Sequence, residues 1–183
     1  LMGELQSDEW PRADLKRERL GQLPPLYGGA ITAGNASKLA EGAGVVVMAS
    51  GEQVGELGVK PLAQVVDTVV VGTDPKDYGI APVKAVWKLL DKVGLTLNSI
   101  GIWEIHEAYA VQVLAVLKEL RLSPNRVNRW GGAIGLGHPF GMSGVRLVLT
   151  AARQLQEFNE EYAIVAMCIG GGQGEAMLLK KCE

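Results

Sequence analysis

From residue 44 to the end of the chain, strand-like and helix-like stretches take turns, and this alternation constrains the fold more than any other feature. Residues 44–49 are a short valine-rich run, the pattern of a strand buried on both faces. Residues 62–71 hold five valines, with Pro61 at the start, where a missing N–H does least harm. Residues 80–93 place Val83, Val86, Trp87, Leu90 and Val93 on one helical face, and Gly94 follows as a C-terminal cap. Residues 100–105 read as a strand, and 108–120 as a helix with Ala110, Val113, Leu114 and Leu117 on one face. Residues 145–155 repeat the helical pattern through Val145, Val148, Leu149, Ala152 and Leu155. The runs 163–167 and 175–179 are strands joined by Gly170-Gly171-Gly172-Gln173-Gly174, too close for a helical crossover and so antiparallel. Strands alternating with helices of about 12–15 residues imply βαβ units. The expected class is α/β: a mixed, mostly parallel five-stranded sheet with helices on its faces.

The first 26 residues break the pattern. They carry nine charges together with Pro11, Pro24 and Pro25, and read as an irregular lead-in with one short helix near residues 14–20. The expected division is therefore a lead-in from a preceding domain over 1–26 and a domain over 27–183. A hydrophobic fraction of 48% with a formal net charge of −2 excludes a disordered chain and leaves no basic excess for nucleic acid. No apolar run approaches the roughly 18–20 residues of a membrane span. Cys168 and Cys182 are too few for a disulfide scaffold. The start, Leu1-Met2-Gly3-Glu4, has neither the basic nor the apolar region of a signal peptide. The expected setting is soluble and cytoplasmic, or an organelle matrix in a eukaryote.

Reactive or very small residues gather at strand-to-helix corners, where open α/β sheets bind ligands. His106-Glu107 enters a helix, but the His-Glu-x-x-His pair of a zinc protease fails because position 110 is Ala110. A metal would need His106, His138 and a cysteine or carboxylate together, and no metal site is expected. His106 alone also fits a partly buried histidine satisfied at a helix start. His138 sits among Gly131, Gly132, Gly135, Gly137 and Gly141, which allow close backbone approach, although an exposed turn before a helix explains it too. Cys168 ends a strand before three glycines. Inert packing is the ordinary fate of a buried cysteine, whereas backbone N–H groups from those glycines could serve a thiol or an oxyanion.

Taken in order, these segments resemble the thiolase family. They are Thr32-Ala33-Gly34-Asn35-Ala36-Ser37, His106-Glu107-Ala108-Tyr109-Ala110, Gly132-Ala133-Ile134-Gly135-Leu136-Gly137-His138-Pro139-Phe140-Gly141-Met142-Ser143-Gly144 and Cys168-Ile169-Gly170-Gly171-Gly172-Gln173-Gly174, preceded by Asp8-Glu9-Trp10-Pro11-Arg12. The resemblance runs over nearly the whole chain and over the second half of the family's length. It implies a thiolase-type C-terminal domain and an acyltransferase working on coenzyme A thioesters, by thiolytic cleavage of a 3-ketoacyl-CoA or the reverse Claisen condensation. It implies His138 as the base that activates a nucleophilic cysteine, and Cys168 as the group that moves the proton at the α-carbon. The Gly170 N–H would serve one oxyanion hole, and His106 would orient a water at the other. Ser37 and Tyr109 match positions near the pantetheine arm of coenzyme A, which enters as substrate, with no covalently bound cofactor.

The family's nucleophilic cysteine belongs to its first half and has no counterpart here, and Lys38 stands where a glycine usually follows Ser37. A fragment or processed product is therefore expected, inactive alone and needing the N-terminal thiolase half as partner. Two other readings stand beside this one. A ketosynthase-type condensing enzyme usually has Thr after the glycine-flanked His, where this chain has Pro139. A non-catalytic thiolase-like domain binding acyl-CoA or lipid would not need His106, His138 and Cys168 together. Loss of the first half is expected to uncover apolar helix faces bearing Val113, Leu117, Val145 and Leu149, and so to drive self-association into a homo-oligomer.

Overall fold

The computed structural model describes residues 7–8 and 10–182; Leu1-Met2-Gly3-Glu4 and Glu9 of the lead-in lie outside the described residues. The described residues of the first 26 contribute the four-residue helix α1 (Arg17–Leu20) and are otherwise irregular and mostly exposed. A second short helix, α2 (Gly51–Leu57), was not expected. Its signal is local: Ser50 Oγ accepts the Gln53 N–H at 3.2 Å, and Gly58 closes the helix at φ 60°. No residue of α2 is buried.

The body follows as β1 (Ala63–Gly72), a 3-10 turn (Pro75–Ile80), α3 (Ala81–Val93), β2 (Ile102–Ile105), α4 (Ala110–Leu120), α5 (Ala133–Leu136), α6 (Ser143–Glu157), β3 (Tyr162–Ile169) and β4 (Gln173–Lys181). The sheet order is β1-β4-β3-β2. β3 and β4 form the expected antiparallel hairpin, β1 pairs antiparallel with β4, and β2 runs parallel to β3. The α/β class and the helix-covered faces hold, but the sheet has four strands rather than five, and two of its three pairings are antiparallel. The residues expected as the fifth strand, 44–49, are extended and unpaired, with Val45 82% and Val47 89% exposed. A valine run becomes a strand only with a ladder partner, and no described strand pairs with it; Gly44 lies instead against Met142 and Val145 at the start of α6. The place next to β2 is taken instead by Val127, in a single parallel bridge with Trp103.

The two sides of the sheet carry separate cores. On one side α3 and α4 bury Val86, Leu89, Leu90, Val113, Val116, Leu117 and Leu120 against Trp103, Ile105, Ile164 and Leu178. On the other, α6 buries Leu147, Ala151 and Leu155 against Ile102, Val165 and Leu179. Removing one of these leucines to alanine costs about 2–5 kcal/mol. A register shift between Val65 and Asp67 turns β1 over, so Val65 faces the α6 core while Val69 and Val71 face the α3 core.

Helix positions were readable, but the buried faces sit slightly rotated from the expected ones. Trp87 and Leu114 are 47% and 59% exposed, and Leu89 and Val116 are buried in their place. Val113 and Leu117, expected on an uncovered face, are core residues; Val145 and Leu149 are half-buried. Among the described residues no helix is long and apolar enough to cross a membrane.

Candidate active site

β2 and β3 run parallel, so both deliver their carboxyl ends to one edge of the sheet. His106 is the first residue past β2, and its N–H continues the ladder to Ala166 O at 2.8 Å. Alternation along β2 puts Ile102, Glu104 and His106 on the α6 side, and Trp103 and Ile105 on the other. His106 is 2% exposed, and its Nδ1 has no hydrogen-bond partner among the described residues. Burial first, then the neighbouring His138 ring and the Arg146 guanidinium, push its pKa down to about 4.

His138 arrives from the loop between α5 and α6. Its N–H donates to Lys38 O at 2.7 Å, and it forms a parallel bridge with Leu39. Lys38 therefore supports His138 through its backbone, whatever its side chain. The His138 ring lies with its centroid 4.1 Å from that of His106 and 4.6 Å from that of Phe140. Its Nδ1 is 2.6 Å from Ser143 Oγ, and Ser143 Oγ donates to Pro139 O at 3.0 Å. A hydroxyl has one proton to give. Since that proton goes to Pro139, Ser143 accepts from His138 Nδ1–H, which leaves Nε2 with a free lone pair. Burial and Arg146 both lower the His138 pKa, favouring this neutral, basic form.

The turn that presents His106 is held by two residues that sequence reasoning missed. Asn128, at φ 49°, pairs with the Ile105 backbone like a short strand: its Oδ1 accepts the Ile105 N–H and its Nδ2 donates to Ile105 O, both at 2.8 Å. Nδ2 also donates to Glu107 Oε1 at 2.8 Å, and Glu107 Oε2 accepts the Ile134 N–H at 3.1 Å. A Cβ on Gly132 would overlap the Glu107 carboxylate, so that glycine is fixed by close approach. The only local signal for this arrangement is an asparagine three residues before a Gly-Gly pair.

Cys168 is the penultimate residue of β3, 8% exposed, on the side of Ile164 and Ala166. Burial raises its thiol pKa, so the thiol form dominates near neutrality. No hydrogen bond joins it to either imidazole among the described residues. It lies instead near Tyr78, whose own pKa is raised by burial, then by Tyr109 and Cys168. Gly170 opens the turn after β3 with open space where a Cβ would stand, whereas Gly172, at φ 94°, would press a Cβ onto Thr73 O. Ser37 and Tyr109 are brought together by backbone pairing: Ser37 N–H donates to Ala108 O at 3.0 Å, and Ala36 bridges Tyr109. The structure thus joins His106 with His138 and Ser37 with Tyr109, and sets Cys168 at the same carboxyl end of the sheet, near Tyr78 on the face of β3 that carries Ile164 and Ala166. No group of three His, Cys, Asp or Glu side chains that could hold a metal occurs among the described residues.

An imidazole pair and a protonated thiol at the carboxyl edge of an α/β sheet define a domain equipped to move protons. The family profile for the thiolase C-terminal domain matches residues 59–181, and that for the thiolase N-terminal domain matches residues 3–52. The chain belongs to the thiolase family. It is 43% identical to the mitochondrial 3-ketoacyl-CoA thiolase of Bos taurus over 178 residues, covering 96% of this chain and 45% of that protein. The beta-ketoadipyl-CoA thiolase of Acinetobacter baylyi is 42% identical, covering 97% and 45%. The crystal structure of human mitochondrial 3-ketoacyl-CoA thiolase in complex with CoA matches at a TM-score of 0.94 and 42% identity, over 97% of this chain and 46% of that one. The chain thus spans about half the length of the relatives it matches.

Proposed function

We propose that this chain forms the C-terminal half of a thiolase active site, transferring acyl groups to coenzyme A by cleavage of 3-ketoacyl-CoA or the reverse condensation. The observation that carries this reading is the His138 ring, locked through Nδ1 on Ser143 with Nε2 free, against the His106 ring. In the cleavage direction a cysteine thiolate from the N-terminal half attacks the 3-keto carbon, and His138 Nε2 takes the thiol proton. The C2–C3 bond then breaks, its electron pair leaves on C2, and the Cys168 thiol protonates that carbon to release acetyl-CoA. Coenzyme A gives its thiol proton to the Cys168 thiolate and, as thiolate, attacks the acyl carbon; the cysteine of the N-terminal half leaves and recovers its proton from His138. The buried, protonated state of Cys168 supports its role as the acid. The unpartnered Nδ1 of His106 supports a hydrogen bond to a water at one oxyanion hole, and the Gly170 N–H is assigned to the other. Leu39 and Phe140, 75% and 71% exposed beside His138, offer an apolar rim for a thioester, and Ser37 and Tyr109 are assigned to the pantetheine arm.

The chain alone is not expected to turn over, since Cys182 lies at the far end of β4 and a nucleophile must come from the partner half. The exposed 45–48 segment supports association with that half or with a second copy. The test is acetoacetyl-CoA cleavage by the chain with and without a thiolase N-terminal half, with His138→Ala and Cys168→Ala as controls. Activity that needs the partner half and is lost in both variants supports the assignment. Coenzyme A binding with no turnover under any condition overturns it in favour of a non-catalytic acyl-CoA-binding domain.

A further inference from the structure

Beneath the imidazole pair lies a buried polar cluster that the proposed chemistry does not use. Glu104 is fully buried on β2, two residues before His106 and on the same side of the sheet. Its Oε1 accepts from Gln154 Nε2 at 2.7 Å, and its Oε2 lies 3.9 Å from Arg146 NH1. Arg146 is on α6, one turn past Ser143, with a side chain 14% exposed. Its three guanidinium nitrogens are buried and have no hydrogen-bond partner among the described residues. At 3.9 Å the contact with Glu104 is not a hydrogen bond, and desolvation raises the Glu104 pKa to about 7, so the carboxyl is largely neutral where the histidines titrate.

We propose that Arg146 is a positioning residue of this site: anchored by Glu104, its guanidinium presents a fixed positive charge to the His106–His138 pair. The geometry supports this in two ways. Glu104 and Arg146 join the same two elements that hold the rings, β2 for His106 and α6, through Ser143, for His138. A guanidinium stays protonated throughout the working pH range, so its charge is constant. Burial limits screening of that charge by salt. A buried ion pair is weak support for stability, and replacing it by apolar packing is often neutral. A role toward the rings gives three unpartnered buried nitrogens a reason to be there.

The other titratable groups around the rings do not substitute for this charge. Glu107, just beyond β2, is already tied to Asn128 and Ile134 N–H, and Cys168 of β3 keeps a burial-raised, protonated thiol. Arg146 lowers the pKa of both histidines, after burial at His138 and after burial and His138 at His106. The proposal rests on reading His138 as the base, but its test does not require turnover.

The chain has two histidines, so the ring resonances of each are assigned with a single His106→Asn variant and followed by NMR through a pH titration. In the unaltered chain His138 titrates below 6.5, its ordinary value. Arg146→Met is expected to raise the His138 midpoint by about half a pH unit or more, and Arg146→Lys to hold it near that of the unaltered chain. Equal midpoints in all three overturn the proposal, as does Arg146→Lys behaving like Arg146→Met, which would mark a packing role. Should Arg146→Met fail to fold, Arg146→Gln makes the same comparison, and a His138 midpoint at or above 6.5 in the unaltered chain overturns the proposal by itself. The titration shift without turnover supports Arg146 and counts against the thiolase reading alone. Turnover without the shift overturns Arg146 alone.

Discussion

The rings of His106 and His138 lie 4.1 Å apart, centroid to centroid, tilted by 50°. Two imidazolium ions at that range would repel strongly in a buried setting, so the pair is built to carry at most one positive charge. The chain reaches this contact by independent routes: a strand end held by Asn128 for His106, and a backbone bond to Lys38 with a Ser143 clamp for His138.

Ser143→Ala tests the clamp. With Oγ gone, His138 Nδ1–H loses its acceptor and the ring is free to place its proton on either nitrogen. Nitrogen chemical shifts of His138 near neutral pH should change from one dominant Nδ1–H form to a mixture. The lost hydrogen bonds should cost about 1–2 kcal/mol of stability, and partner-complemented turnover should fall about 10²-fold. An unchanged tautomer in the variant would show that Ser143 does not set it.

Gly132→Ala tests the close approach to Glu107. The added Cβ meets the carboxylate that holds Asn128 Nδ2 and the Ile134 N–H. Overpacking of this kind costs about 1–3 kcal/mol. Combined with Glu107→Ala, the overlap disappears, so the double variant should lose less than the sum of the single variants. Urea denaturation of the four proteins decides this, and strict additivity would place the strain elsewhere.

These residues also mark how far the sequence was legible. The motif glycines, both histidines and Cys168 were visible as local patterns, and so was the β3–β4 hairpin. Asn128 was not, because its partner Ile105 lies 23 residues away and a positive-φ asparagine leaves no periodic trace. Glu104, Arg146 and Gln154 were invisible for a related reason: polar residues on a strand and a helix read as solvent-facing until tertiary packing covers them. The run 44–49 failed in the opposite sense, since composition can mark a strand but cannot supply its neighbour. The rotated faces of α3 and α4 arose because apolar side chains outnumber the positions each core can cover, leaving Trp87 and Leu114 outside.

The two cysteines should separate in reactivity. Cys168 is 8% exposed with a burial-raised thiol, while Cys182 is partly exposed. Alkylation proceeds through the thiolate and needs access. Iodoacetamide should therefore modify Cys182 first in the folded chain, with the two rates converging in urea. Faster labelling of Cys168 would mean an activated thiolate there, and would count against its role as a proton donor.

Stability should depend on pH through Glu104 on one side and the two histidines, His106 the better buried, on the other. His106 has a folded pKa near 4 against an ordinary 6.5, so the unfolded chain binds the extra proton between those values. Its contribution, about 3 kcal/mol at 1.36 kcal/mol per pH unit, is present above 6.5 and lost as pH falls through about 4. Glu104 behaves in reverse: desolvation raises its pKa from 4.5 to about 7, against the opposing pull of Gln154 and Arg146. Its contribution, of similar size, is present below 4.5 and lost as pH rises through about 7. Between about pH 4.5 and 6.5 the Glu104 and His106 slopes nearly cancel, and the unaltered chain should show only the shallow rise that the lowered His138 pKa leaves. Glu104→Gln keeps the shape and removes the falling slope, so stability should then rise by about 3 kcal/mol from pH 4 to 6.5. His106→Asn removes the rising slope, so stability should fall between about pH 4.5 and 7. Urea midpoints across this range give the answer. A Glu104→Gln profile as flat as that of the unaltered chain would show that the buried carboxyl and imidazole do not titrate against each other.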